Sequence, residues 1–231
     1  SAYAKEIREA LNRISGATLG FRANPGARSL HLAVLPMFAA RWLIPRLPRF
    51  LSTNPDIAVN LTTRLGPVDF RQEPFDAAIH FGAPEWPDAA LDFLMDETVM
   101  PMCSPSLKIG LNCASPADLI EAPLLHLVSR PDAWERWFAA WDIDPGEVRG
   151  QLFDQFSLIT EAACCGLGVA LLPAFLVKPE LDAGRLVPIV DGSLLSSHAY
   201  HLAWPRTHIH HPPLEQFRHW LRSEAKASIP T

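Results

Sequence analysis

Residues Phe153–Pro188, FDQFSLITEAACCGLGVALLPAFLVKPELDAGRLVP, decide the fold class. Leu158, Ala162 and Cys165 recur at helical spacing with Glu161 left for the polar side. The run stops at Gly166, the residue type that best tolerates the positive φ of a helix C-cap. Val169, Ala170, Leu171 and Leu172 then form a continuous apolar run closed by Pro173, the pattern of a strand covered on both faces. Ala174 to Leu181 reads as a second helix stopped near Gly184, and Leu186 to Val190 as the strand that follows. Helix into buried strand, twice over, is an α/β order.

Working outward, Leu30 to Leu35 predicts a strand and Phe38 to Ser52 a helix that turns Phe38, Trp42, Leu43, Leu47 and Phe50 to a sheet. Pro45 and Pro48 interrupt that helix, and Pro48 has no ready place within it. Ile57 to Thr62 alternates as a strand does, and Ala77 to Phe81 is a short apolar strand. Strands and helices that alternate in this way build a parallel open sheet and give a first subdomain. Thr98 to Cys103 reads as a strand leading out of it; Ala117 to Ile120, Leu124 to Val128 and Trp134 to Trp141 join the opening stretch in a second subdomain. Arg185 to Val190 and Tyr200 to Trp204 return the chain, and Pro213 to Leu221 forms a last helix. Two chain crossings imply two lobes.

The composition suits a chain with a real core: 231 residues, nearly half of them apolar, and a formal charge of −5. That charge gives no footprint for gripping a phosphate backbone, since non-specific DNA affinity rests on clustered Lys and Arg. Cys103, Cys113, Cys164 and Cys165 form no CxxC pair and read as reduced thiols. Ala4, Ile7, Leu11 and Ile14 lie at spacings of three, four and three, a heptad-like seam. Residues 1–15 therefore predict a helix, charged and periodic rather than a secretory or membrane segment, and residues 16–27, which include GATLGFRANPG, a connector.

Sites of chemistry are scarce. Gly166-Leu167-Gly168 invites a dinucleotide reading, but the order is helix then strand and the third glycine position holds Leu171, so it reads as a cap and tight turn. No GxSxG elbow or GxxxxGK[ST] loop occurs. His208, His210 and His211 lack a supporting ligand pattern and read as a loop beside Pro212 and Pro213. Trp134, Trp137 and Trp141 share a helical stripe and read as core, as do Cys164 and Cys165. Neither a catalytic constellation, a metal site nor a cofactor is expected.

The opening stretch, with LHLAVLPMFAARWLIPRLPRF (Leu30 to Phe50), NPDIAVNLTT (Asn54 to Thr63), FDAAIHFG (Phe75 to Gly82), LLHLVSRPDAWERWFAAW (Leu124 to Trp141) and YHLAWPRTHIHHPPLEQFRHWL (Tyr200 to Leu221), resembles the effector-binding domain of LysR-type transcriptional regulators, in the branch that includes regulators of glycine cleavage and of β-lactamase expression. The resemblance implies an α/β fold of two Rossmann-like subdomains with a cleft between them, of the type 2 periplasmic-binding-protein kind, joined by two crossover segments. Residues 28–99 with 206–227 would form subdomain I and residues 100–205 subdomain II. Residues 1–15 would be the end of a linker helix from a winged helix-turn-helix that lies outside this sequence. It also implies a cytoplasmic homodimer through this domain, a homotetramer at full length, promoter DNA bound through the N-terminal domain only, no membrane and no enzyme activity.

The effector positions also follow from the resemblance. They are Pro36, Met37, Phe38 and Ala39 after the first strand, Leu65 and Gly66 after the second, His80 in the strand Ala77 to Phe81, Pro101 with Met102 at one crossing, Phe153, Gln155 and Phe156 near the other, and Tyr200 with His201 on the returning strand. Related regulators place a serine or threonine in the first loop, where this chain has Met37, Ala39 and Ala40, and an arginine where it has His80. The effector is expected to be a small molecule: a carboxylate or amino acid, or a less anionic compound. Asp154 is expected to cap the helix that begins near Ser157. An extracytoplasmic solute receptor, which shares the two-lobed fold, and a small α/β enzyme are the competing classes.

Overall fold

The computed structural model describes Ile7, residues 28–208 and residues 211–228. The linker helix expected over residues 1–15 and the connector over 16–27 lie outside the described residues, apart from Ile7, which is helical and exposed. The chain divides into two compact units. One takes the chain up to Ala39, Leu43–Met95 and the chain from Tyr200; the other takes Ala40–Trp42 and Asp96–Ala199.

In the first unit, β1 (Arg28–Val34) pairs in parallel with β2 (Ile57–Thr63) along its whole length and with β3 (Ala77–Gly82) on its other side. The sheet order is β2-β1-β3, followed by parts of β9 (Leu194–Pro205) and β4 (Ala89–Cys103). The predicted helix over Phe38 to Ser52 is in fact two. Helix α1 (Pro36–Phe38) runs into a π-helical turn over Ala39–Leu43, closed by the Ile44 N–H donating to the Ala39 carbonyl at 2.9 Å. Residues 44–46 form a turn that holds Pro45, and α2 (Leu47–Thr53) starts afresh. Pro48 thus sits in a first helical turn, where its missing N–H has no partner to lose. Phe38, Trp42, Leu43, Leu47 and Phe50 are all buried, as their spacing predicts.

The last helix, α7 (Pro212–Ala227), is longer than predicted and buries Leu214, Phe217, Leu221 and Ala225. Phe217 meets Phe50 edge to face at 5.5 Å. Arg218 and Arg222 close on buried Asp92, with the Arg218 Nε 2.6 Å from one carboxylate oxygen and the Arg222 Nη2 2.9 Å from the other. The Arg218 guanidinium also lies 3.9 Å from the centre of the Trp204 ring, a cation–π contact.

The second unit repeats the pattern: β5 (Leu124–Leu127) is flanked in parallel by β6 (Gly150–Phe153) and β7 (Val169–Pro173), so 6-5-7 mirrors 2-1-3. Strand β4 pairs antiparallel with β7 and with the two-residue β8 (Val187–Pro188). A helix not foreseen from the sequence, α3 (Pro105–Leu111), is capped by Ser104, whose Oγ accepts the Leu107 N–H at 3.2 Å. Helix α4 (Ala133–Ala139) buries Trp134, Trp137 and Phe138. The two indole N–H groups donate to the Leu125 and Gly192 carbonyls at 2.9 and 2.7 Å, so neither ring carries an unmet donor into the core. Trp141 lies beyond the helix and is 41% exposed, against the expectation that it shares the core stripe.

Within the deciding stretch, α5 (Phe156–Cys164) ends in a Schellman turn: Gly166 has φ +78°, its N–H donates to Ala163 O, and the Leu167 N–H donates to Ala162 O. All five residues of β7 are buried, as expected of a strand covered on both faces. Three expectations are corrected. The buried face of α5 is Ile159, Thr160, Ala162 and Ala163, while Leu158 is 53% exposed and Cys165 is exposed, because adjacent stripes of the helix both carry apolar residues and tertiary packing picks one. The second helix shrinks to α6 (Lys178–Asp182) behind a turn over residues 174–176. Gln155, not Asp154, is the N-cap of α5, with no side-chain cap bond, and Asp154 is exposed.

Gly168 brings the turn against its neighbour. A Cβ there would lie 2.2 Å from the Pro123 carbonyl oxygen, which also accepts the Val169 N–H at 2.8 Å. Backbone cannot move aside as a side chain can, so Gly168→Ala is expected to lower stability by roughly 1–3 kcal/mol in urea denaturation. Gly110→Ala, in open space within α3, is expected to be neutral or to add up to about 1 kcal/mol. The thiols differ as sharply. Burial pushes the Cys103 thiol up to about 11, so it stays protonated at neutral pH, and the stability this supplies is lost as pH rises from about 9 through about 11. In a thiol titration of the native domain at pH 8, Cys165 is expected to react first and Cys103 only after unfolding.

Candidate functional site

In an open α/β sheet the ligand position is the carboxyl edge where strand order reverses, since the loops there diverge and leave a crevice. In the first unit that point lies between β1 and β3. A shallow recess of about 10 Å³ opens there, lined among others by Val34, Arg64, Leu65, Gly66, His80 and Trp86. It has roughly the room of one water.

Local sequence explains its walls. Gly82 lets the His80 imidazole fold back along β3, since an added Cβ would lie 2.2 Å from His80 Nε2. The ring then stands edge-on to Trp86, 4.9 Å between centres, and the Trp86 Nε1–H donates to the Val68 carbonyl at 3.2 Å. Ala33, Val68, Phe75 and Ala78 form the apolar floor against which Phe70 and Trp86 pack. On the rim, the Arg64 Nη2 is 3.1 Å from Glu73 Oε2, and its guanidinium lies 5.5 Å from the Phe75 ring centre. Leu65 is exposed, and nothing lies within 4 Å of a Cβ built on Gly66.

The other expected positions in this unit are mostly packed. Met37, Phe38 and Ala39 are buried and Pro36 is half-buried. Tyr200 is buried between Phe38, stacked at 4.8 Å, and Phe81 at 4.9 Å. His201 is buried, edge-on to Phe93 at 5.9 Å.

The remaining positions belong to the second unit. Pro101 and Met102 are buried in β4, with Met102 opposite Ala170 and Pro188. Phe153 ends β6, and half-buried Gln155 and Phe156 open α5 just past its carboxyl end. Above the Phe156 ring, 4.7 Å from its centre, stands the Arg130 guanidinium, a residue that nothing in its local stretch singles out. Its two Nη groups clasp both oxygens of Glu97, a carboxylate with no exposure at all, and Ser196 Oγ donates to Glu97 Oε1 at 3.0 Å. The two arginines therefore differ in kind. Parting an exposed pair such as Arg64–Glu73 costs about 0–1 kcal/mol, whereas stripping Glu97 of Arg130 would leave a buried charge unpaired, at about 3–5 kcal/mol.

Among the described residues, no group of three or more His, Cys, Asp or Glu side chains is placed to hold a metal ion. Of the three clustered histidines, His211 is the N-cap of α7, with Nε2 4.0 Å from Asp76 Oδ1; the side chain of His208 and all of His210 lie outside the described residues. No described helix is long and apolar enough to cross a membrane.

Two α/β units of matching 2-1-3 strand order, linked by β4 and β9, make up a periplasmic-binding-protein-like effector-binding domain. The chain belongs to the LysR family: residues 23–226 match the LysR substrate binding domain. It is 34% identical over 220 residues to the HTH-type transcriptional regulator TrpI of Pseudomonas aeruginosa, covering 94% of this chain and 74% of the relative. To the glycine cleavage system transcriptional activator of Escherichia coli K12 it is 31% identical over 228 residues, covering 98% and 74%. Among solved structures, the effector domain of AmpR from Pseudomonas aeruginosa superposes with a TM-score of 0.80 at 30% identity, covering 87% of this chain and 96% of that one. The chain is thus the effector-binding domain of a LysR-type transcriptional regulator, in the branch its sequence resembles, and the solute-receptor and enzyme alternatives are disfavoured.

The buried pair supplies a test of the second unit. Arg130→Met is expected to destabilise the domain by about 3–5 kcal/mol. The double variant with Glu97→Gln is expected to recover part of that loss, a positive coupling that a double-mutant cycle in urea measures.

Proposed function

We propose that this domain senses a small metabolite at the carboxyl edge of its parallel strands and that occupancy shifts the assembly of a cytoplasmic regulator. The first observation in support is the recess at the β1–β3 reversal, which brings expected positions Leu65, Gly66 and His80 to one wall-and-rim structure. Pro36 to Ala39, Tyr200 and His201 would shape its surroundings, and Pro101, Met102, Gln155 and Phe156 would serve the second unit. A recess of this size takes part of a metabolite, so binding on this reading entails local opening or contacts that extend beyond it.

Promoter DNA would be bound by a part of the protein outside this sequence, in keeping with the relatives' greater length and their names as HTH-type regulators. This domain would pair as a homodimer and the full-length protein would form a homotetramer. The ligand would act by its differential affinity for two states of that assembly, worth about 1–3 kcal/mol in typical regulators.

A thermal-shift panel of amino acids, aromatic and aliphatic carboxylates and neutral metabolites tests the proposal. At least one class is expected to stabilise the domain saturably, by about 2.7 kcal/mol at a hundredfold excess over Kd. The effect should weaken in Met37→Ala or Tyr200→Phe. A flat response across the panel would count against metabolite sensing.

A further inference from the structure

We infer that Arg64 is the charge anchor of the recess and that the ligand presents a carboxylate or comparable anionic group to it, an inference that rests on the effector-sensing role proposed above. Arg64 is the first residue past β2, and its backbone N–H donates to the Val34 carbonyl at 3.0 Å, which ties the start of its side chain to the carboxyl end of β1. The side chain lines the recess together with His80 and Trp86.

Its donors are only partly used. Nη1 donates to the Thr63 carbonyl at 3.3 Å and Nη2 to Glu73 at 3.1 Å. A guanidinium carries five N–H donors in a rigid fork, so three are left for an incoming group. The Phe75 ring beside it limits the directions the fork can take. The recess itself has room for about one oxygen-sized atom, which matches one oxygen of a carboxylate with the remainder of the ligand outside, over exposed Leu65 and the open space at Gly66.

The alternative cation at the strand ends, Arg130, is committed. Both its Nη groups hold Glu97, which is wholly buried, and one face of its guanidinium covers Phe156. An incoming anion would have to displace a carboxylate that has no solvent to retreat to. Glu73, by contrast, is one-third exposed on its side chain and can swing into water when an anion takes its place. The arrangement is that of a cation kept in position by an exchangeable internal carboxylate.

The test uses matched probes: acetate, butyrate, benzoate and phenylacetate as sodium salts, and their carboxamides, titrated into the domain at constant ionic strength by calorimetry. At least one carboxylate is expected to bind saturably, with its amide about tenfold or more weaker. Arg64→Gln should weaken that carboxylate by about tenfold or more, while Glu73→Gln, which frees the guanidinium, should tighten it by about two- to fivefold. Gly66→Leu fills open space and should keep the urea midpoint while blocking the carboxylate. Carboxylate binding that is unchanged in Arg64→Gln, amides that bind as tightly as the acids, or no carboxylate binding in either the wild type or Glu73→Gln would each overturn the inference. Saturable binding of amides that is indifferent to Arg64 would remove the anchor and leave metabolite sensing standing.

Discussion

Parallel pairing of β1 on both of its edges is the constraint on which the first unit depends. With β2 on one side and β3 on the other, the connections leaving β1 and β3 must part at their carboxyl ends. The segment Pro36–Thr53 answers that demand. It turns away immediately, buries Phe38, Trp42 and Leu43 through a π-helical turn and restarts at Leu47, delivering the chain to β2. β5 imposes the same condition on the second unit, and there too the residues past the strand ends, Arg130 and Phe156, are the ones that meet.

Strand β4 shows how each unit keeps its share of a common element. It carries two buried carboxylates, Asp92 and Glu97, on either side of the division between Met95 and Asp96. Asp92 is held by Arg218 and Arg222 of the first unit, and Glu97 by Arg130 and Ser196 of the second. Burying a carboxylate is costly without such partners, so these bonds bind the strand to its own unit in each half with a specificity that apolar packing lacks.

Much of the fold was legible because it is local. The run Val169 to Pro173 could only be a doubly covered strand, Gly166 could only end a helix, and the strands around β1 were placed to within a few residues. Pro48 was the one local signal left without a use, and it marked the start of a second helix. What failed to show was long-range. Leu158 and Ile159 are equally apolar, and only the packing of neighbours decides which faces inward. Of the recess lining, Leu65, Gly66 and His80 had been singled out as effector positions by family resemblance alone, whereas Arg64 beside them carried no mark in its local sequence. Glu97 and Arg130 stand 33 positions apart, and nothing in either local stretch announces the partner.

The open space at Gly66 has a use in measurement. A cysteine at that position would carry an attached environment-sensitive fluorophore on the lining that Gly66 shares with Arg64 and Trp86, with nothing within 4 Å of its Cβ to resist the change. Cys165, the exposed native cysteine, lies in the other unit and is simply replaced by serine. On the effector-sensing reading proposed above, the glycine that leaves the recess open would also make the domain a ready chassis for a reagentless optical sensor.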